Sequence, residues 1–284
     1  MIVKANAKVN LSLDITGKRA DGYHTLCSVM QSVTLCDTLE LELSDGISVF
    51  CDREELSGDD NLAAKAARLF FEKAGLPGGV HIKIKKQIPV AGGLGGGSAD
   101  AAAVLVALNR MHNCPFNADE LSSIALSLGA DVPFCLVGGT QLAKGIGEEL
   151  TVLSSLPECS IVIAKKGTKS STRDMYSAID STEPRCVSDV KGLLSALDEG
   201  DLEGLCRCLY NRFEEVTERS VLLEAKEIMS TGRSLYSGLS GAGPSVVGIF
   251  KTDNEAKLVV DDLKEKGFDA FLCEPAKSGI EIIE

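Results

Sequence analysis

The stretch PVAGGLGGGSADAA, residues 89–102, sets five glycines between positions 92 and 97 and runs straight into an alanine-rich segment. Glycine lets the backbone approach a ligand closely and adopt positive φ, and a helix start presents free N–H groups with partial positive charge. Phosphate is the natural guest of such a loop, whereas an ordinary flexible turn rarely needs so many glycines. Gly92 and Gly97 have P-loop spacing, but Ser98 stands where that motif needs the lysine that meets the outer phosphates. The dinucleotide-binding fingerprint fails as well, because Gly93 and Gly95 would require a third glycine or alanine at position 98. Hydride transfer is disfavoured and phosphate chemistry remains. Asp100, in the first helical turn, suits the helix dipole but repels a phosphate, so it either points away or is separated from the phosphate by a divalent cation.

Working outward, VHIKIKKQIPV delivers the chain to the loop as a strand, with Val80, Ile82 and Ile84 on one face and His81, Lys83 and Lys85 on the other. A helix precedes it from Asn61 to Gly75. Another follows the alanine-rich one, opened by the capping-box pair Asn117 and Glu120 and closed by Gly129. At the N-terminus, Ala5, Ala7, Val9, Leu11, Leu13 and Ile15 alternate with Lys4, Asn6, Lys8, Asn10, Ser12 and Asp14, which predicts a strand with one apolar face and one solvated polar face. The turn GKRADGYH and a second β-rich stretch at 38–43 follow. Beyond Leu156-Pro157 the pattern restarts with CSIVIAKKG, and its mixed strands and helices predict an α+β domain. With 284 residues, two domains are expected, 1–155 and 156–284.

Composition narrows the function classes. A net charge of −12 disfavours a nucleic-acid partner, which needs a basic surface, without excluding a small anion held by amides. No apolar run of about eighteen residues and no export-type leader occurs, so no membrane partner is expected. The ten cysteines include no CxxC pair, which suits reduced thiols in a cytoplasm. Cys206 falls on the apolar face of a helical pattern and reads as core, with Cys208 incidental. His81 and His112 read as surface residues.

The form P-x-x-x-G-L-G-G-G-S-A at 89–99 resembles the second motif of the GHMP kinases. The segments KANAKVNLSLDITGKRADGYHTL (4–26) and GADVPFCL (129–136) are similar to signatures of one branch of that superfamily, and SGLSGAGPSVVGIF (237–250) resembles its third motif. The resemblance implies an α+β GHMP kinase fold, with an N-terminal domain like domain 2 of ribosomal protein S5, a ferredoxin-like C-terminal domain, and substrates in the cleft between them. It also implies ATP-dependent phosphorylation of the 2-hydroxyl of a cytidine-diphosphate-linked methylerythritol, in the non-mevalonate route to isoprenoid precursors. Mg2+ would arrive on the nucleotide, and no residue is assigned as its ligand.

Carried over residue by residue, Lys8 and Asp131 match the catalytic pair: a carboxylate to take the hydroxyl proton, and an ammonium to stabilise the developing charge. Read alone, Lys8 is a solvated strand lysine, and Asp131 serves equally as the N-cap before Val132-Pro133. For ATP, the phosphate segment comprises Val90, Ala91, Gly92, Gly93, Leu94 and Gly95, continuing through Gly96, Gly97, Ser98, Ala99 and Asp100. Asn61 matches an adenine contact or simply caps its helix. For the acceptor, Asn10 shares the face of Lys8; Tyr23 and His24 match positions that grip cytosine; Thr172 and Tyr176 are a second wall; Gly241 belongs to the third motif. There, SGAG at 240–243 departs toward homoserine kinase, which keeps another acceptor open. A nucleotide or sugar sensor on the same fold, without catalysis, is the alternative of a different class.

Overall fold

The computed structural model describes every residue except 168–170, 185, 187 and 218. The first sheet grows from a long hairpin of β1 (Ile2–Lys18) and β2 (His24–Ser44). β2 is continuous from His24, well before the stretch expected at 38–43. Residues 28–33 are buried on both faces and so carry no alternation, and the pairing with β1 shifts register at three points.

The polar face of β1 differs from the expectation: Asn6, Lys8, Asn10 and Ser12 are all buried. The glycine loop and the turn at Ser240 cover Lys8 and Asn10, the segment at 278–281 lies against Asn6, and Ser188 meets Ser12, so the alternation marks two buried faces of different chemistry.

Next come β3 (Ser48–Cys51) and α1 (Leu62–Ala74), which begins at Asn61 and ends on Gly75 in the left-handed region at φ 62. β4 (Gly79–Lys85) lies between β2 and β3, with Val80, Ile82 and Ile84 inward as their spacing requires. α2 (Gly96–Met111) is the central helix; Ala99, Ala101, Ala102 and Ala103 are completely buried, and their small size lets α2 pack closely on its neighbours. α3 (Ala118–Leu128) carries the expected Asn117–Glu120 capping box, whereas Gly129 closes it in extended rather than left-handed backbone. The short α4 (Val132–Val137), β5 (Thr140–Lys144) and β6 (Glu149–Val152) complete this part.

His112, expected at the surface, packs instead against the rings of Phe70 and Phe71. It follows directly on the last turn of a helix buried on every side, a placement invisible to local polarity.

The second sheet takes β7 (Ser160–Lys165), followed by α5 (Thr172–Asp180), α6 (Val190–Glu199), α7 (Leu202–Arg207) and α8 (Arg219–Thr231). Then come β8 (Tyr236–Leu239), β9 (Val246–Phe250), α9 (Asp253–Glu265) and β10 (Asp269–Cys273). Its strand order, β10-β7-β9-β8, is antiparallel throughout and is the order of a ferredoxin-like unit. The last strand, β11 (Ile280–Ile282), crosses back to pair with β1, so the chain's end belongs to the first sheet.

Candidate active site

The glycine loop is fixed by backbone contacts from both halves of the molecule. The Lys8 N–H donates to the Leu94 carbonyl at 3.0 Å, the Ser245 N–H to the Gly92 carbonyl at 3.2 Å, and the Ser240 hydroxyl to the Gly93 carbonyl at 3.0 Å. Two positions demand glycine. At Gly93, φ is 79° and a Cβ would run into the Ser240 carbonyl oxygen; at Gly95, φ is 70° and a Cβ would lie 2.9 Å from Lys8 Cγ. Gly95 is the N-cap of α2 and has no side chain to cap it, and the first bond of the helix runs from the Ala99 N–H to the Gly95 carbonyl. The N–H groups of Gly96, Gly97 and Ser98 therefore have no acceptor within the helix, and all three residues line a cavity of about 770 Å³. That is an anion cradle with its donors already aimed.

A lysine does lie behind this cradle, although the loop contains none. Lys86, just past β4, places its ammonium between Asp37 and Asp100, 2.7 Å from Asp100 Oδ2 and in ion-pair contact with Asp37. A Cβ on Gly96 would lie 3.4 Å from that ammonium. Asp37 also accepts the N–H groups of Gln87 and Ile88, at 2.6 and 2.9 Å, so its charge is fully met. Asp100 has only the lysine; its Oδ1 is buried without a partner. Burial, with the Asp37 charge adding to it, outweighs the lysine and pushes the Asp100 carboxyl up to about 7. Burial alone would lower the Lys86 ammonium, but Asp100 and Asp37 outweigh it and raise it above the ordinary lysine value. Asp100 thus neither faces solvent nor stands alone against a phosphate. Asp37 and Lys86 were invisible locally, because only the β2–β4 register, with Thr38 opposite Lys85, brings them together.

Across the same cavity, the Lys8 ammonium donates to Asn10 Oδ1 at 2.7 Å and lies 3.6 Å from Asp131 Oδ2. The Lys8 side chain is 5% exposed and that of Asp131 41%, so the cation is fixed and the carboxylate open to the cavity. Asn10 Nδ2 donates to Ser28 Oγ at 2.8 Å, and Ser28 to the Ser12 carbonyl at 2.7 Å, which locks the Asn10 amide with its oxygen toward Lys8. Asp131 stands at the N-cap position of α4, yet its carboxylate accepts no capping hydrogen bond. It turns to the lysine instead. Gly241 packs close by, where a Cβ would lie 3.7 Å from the Lys8 ammonium. Its turn is held by Asn211, whose Nδ2 donates to the carbonyls of Leu239 and Gly241 at 2.8 and 2.9 Å. Asn211 carried no sequence signal, since it lies 30 residues away from Gly241 along the chain.

The cavity also touches Asn61, Val90, Ala91, Leu94, Thr172 and Tyr176, and so joins most of the expected residues. Asn61 is engaged at both polar ends, accepting from the Ala63 N–H at 2.8 Å and donating to the Leu56 carbonyl at 2.7 Å, which is the capping role. Ala99 is buried beneath the cradle. Tyr23 is 63% exposed at the tip of the β1–β2 hairpin, away from the cavity wall. His24 stacks on Tyr176 with centroids 4.7 Å apart, and its Nε2 lies 2.6 Å from Asp180 Oδ1. Phe213 meets Tyr176 edge-on. In this form His24, rather than Tyr23, occupies the Tyr176 face.

Comparisons with known proteins place the chain in a family. The GHMP kinases N terminal domain matches residues 61–139, and the GHMP kinases C terminal domain matches residues 193–269. The 4-diphosphocytidyl-2-C-methyl-D-erythritol kinase of Thermoanaerobacter pseudethanolicus is 39% identical over 285 residues, covering 99% of this chain and 98% of that protein. A crystal structure of 4-(cytidine 5'-diphospho)-2C-methyl-D-erythritol kinase superposes with a TM-score of 0.84 at 34% identity, over 97% of this chain and 100% of the other. The homoserine kinase of Cytophaga hutchinsonii superposes at 0.77 with 20% identity, over 100% and 97% of the two chains, which is a likeness of fold. With matches to both the N- and C-terminal domain models and near-complete coverage by a relative 39% identical, this chain belongs to the GHMP kinase family.

Proposed function

We propose that this protein phosphorylates the 2-hydroxyl of 4-diphosphocytidyl-2-C-methyl-D-erythritol with ATP, releasing ADP and the 2-phosphate, in a cytoplasm. One observation carries the reading: an open carboxylate, Asp131, beside a buried ammonium, Lys8, in the same cavity as the uncapped start of α2. The amides of Gly96, Gly97 and Ser98 hold the phosphates, Asp131 takes the hydroxyl proton, and Lys8 offsets charge at the attacking oxygen. Asn10 fixes the ammonium. Mg2+ would arrive on the nucleotide, because it prefers phosphate oxygens and water. Bound there, it would neutralise charge on the outer phosphates. The acceptor's base lies toward Tyr176 and Thr172 on the cavity wall, beside His24.

The test offers the cytidylyl alcohol, homoserine and mevalonate side by side with MgATP and follows the products by phosphorus NMR. A new phosphomonoester on the methylerythritol 2-position is expected. Turnover of homoserine instead would favour the other acceptor, in line with Ala242 in the third motif, and nucleotide binding without ADP release would indicate a sensor.

A further inference from the structure

We propose that Lys86 is the cation of the phosphate cradle, a positioning residue supplied by the end of β4, and that the charge it shares with Asp37 and Asp100 sets how tightly the cradle holds a nucleotide's phosphates. The inference rests on the reading that those phosphates bind at the start of α2. Three facts of geometry support it. The Lys86 ammonium lies directly behind Gly96, within 3.4 Å of where a Cβ would stand. Lys86 and Asp100 both reach the wall of the same cavity as the cradle. One ammonium meets two carboxylates, of which Asp37 is fully hydrogen-bonded and Asp100 is left with an unpartnered oxygen.

The charge sum follows directly: with both carboxylates ionised the triad is net −1, facing a guest that is itself anionic. The cradle therefore works against a residual repulsion that Lys86 keeps small. Removing the ammonium deepens the deficit as far as Asp100 stays ionised, and removing the Asp100 charge cancels it. The two effects have opposite signs, which loosened packing cannot produce. A unit charge about 8 Å from a phosphate shifts affinity roughly two- to fivefold at solvent-like dielectric.

The experiment titrates MgADP at pH 8 into the full chain and into Asp100→Asn, Lys86→Met and the double variant Lys86→Met/Asp100→Asn, with uncharged adenosine as the control ligand. Asp100→Asn is expected to bind ADP roughly two- to fivefold more tightly. Lys86→Met is expected to bind ADP up to about two- to fivefold more weakly than the unaltered protein, and the double variant to bind close to the unaltered protein and more weakly than Asp100→Asn. Adenosine affinity should stay level throughout. Should Lys86→Met fail to fold, Asp100→Asn and the double variant still decide the matter. ADP binding that is unchanged or weaker in Asp100→Asn, a double variant that keeps the gain of Asp100→Asn, or adenosine affinity falling in parallel would each overturn the inference. Absence of ADP binding by the unaltered protein would instead sink the kinase reading.

Discussion

Replacing Asp131 by Asn separates chemistry from binding and from folding. The amide keeps the size and position of the carboxylate but cannot accept the hydroxyl proton. A positioned base is worth roughly 10²–10⁴-fold, so the barrier should rise by about 3–5 kcal/mol and kcat fall accordingly. Stability should barely change. The carboxylate is 41% exposed, its contact with Lys8 is long at 3.6 Å, and the ammonium keeps Asn10 Oδ1 at 2.7 Å. A half-open pair of that kind contributes about 1 kcal/mol or less, which in a chain of this size moves Tm by roughly 2–4 °C. KM for both substrates should remain within about threefold, since no step of binding needs the proton transfer. The assay couples ADP release to a spectrophotometric readout, with thermal unfolding run in parallel. A variant that retains kcat within tenfold would remove Asp131 from the base role, and a collapse of Tm would mean that the carboxylate is structural after all.

Three further outcomes follow from the same geometry. Gly93→Ala forces a Cβ at φ 79° into the Ser240 carbonyl; the left-handed conformation alone costs about 1–2 kcal/mol, so KM for ATP should rise sharply, and an unchanged KM would count against the clamp. Asn211→Ala strips the donor from two buried carbonyls, at about 2–3 kcal/mol, and should lower Tm by roughly 5–10 °C; a shift under 2 °C would contradict its role in holding the Gly241 turn. Because burial raises the Asp100 pKa to about 7 from an ordinary 3.8, its native-state preference for the proton stabilises the fold fully below pH 3.8 and is lost as pH climbs through 7. The Tm advantage of Asp100→Asn over the unaltered protein should thus grow between pH 4 and 7 and then level off, and a flat difference would refute that titration.

Much of the candidate site could be read from the chain because its chemistry is local. A glycine loop feeding a helix, a capping box at Asn117–Glu120 and the alternation of Val80, Ile82 and Ile84 each act over a few residues, so their consequences are written at that spacing. The segments around Lys8 and Asp131 were legible through family resemblance, since neither residue type alone distinguishes a catalyst from a surface lysine or a helix cap.

Tertiary structure decided what depends on who lies across the sheet. It buried the polar face of β1, set Lys86 behind the cradle through the β2–β4 register, and placed His24 on Tyr176. It also returned β11 to β1 and drew Asn211 beneath the third-motif turn. Backbone propensity and side-chain period specify an element and its faces, but the partner that covers a face is chosen by packing among segments far apart in the chain, and sequence patterns over a few residues carry no record of that choice.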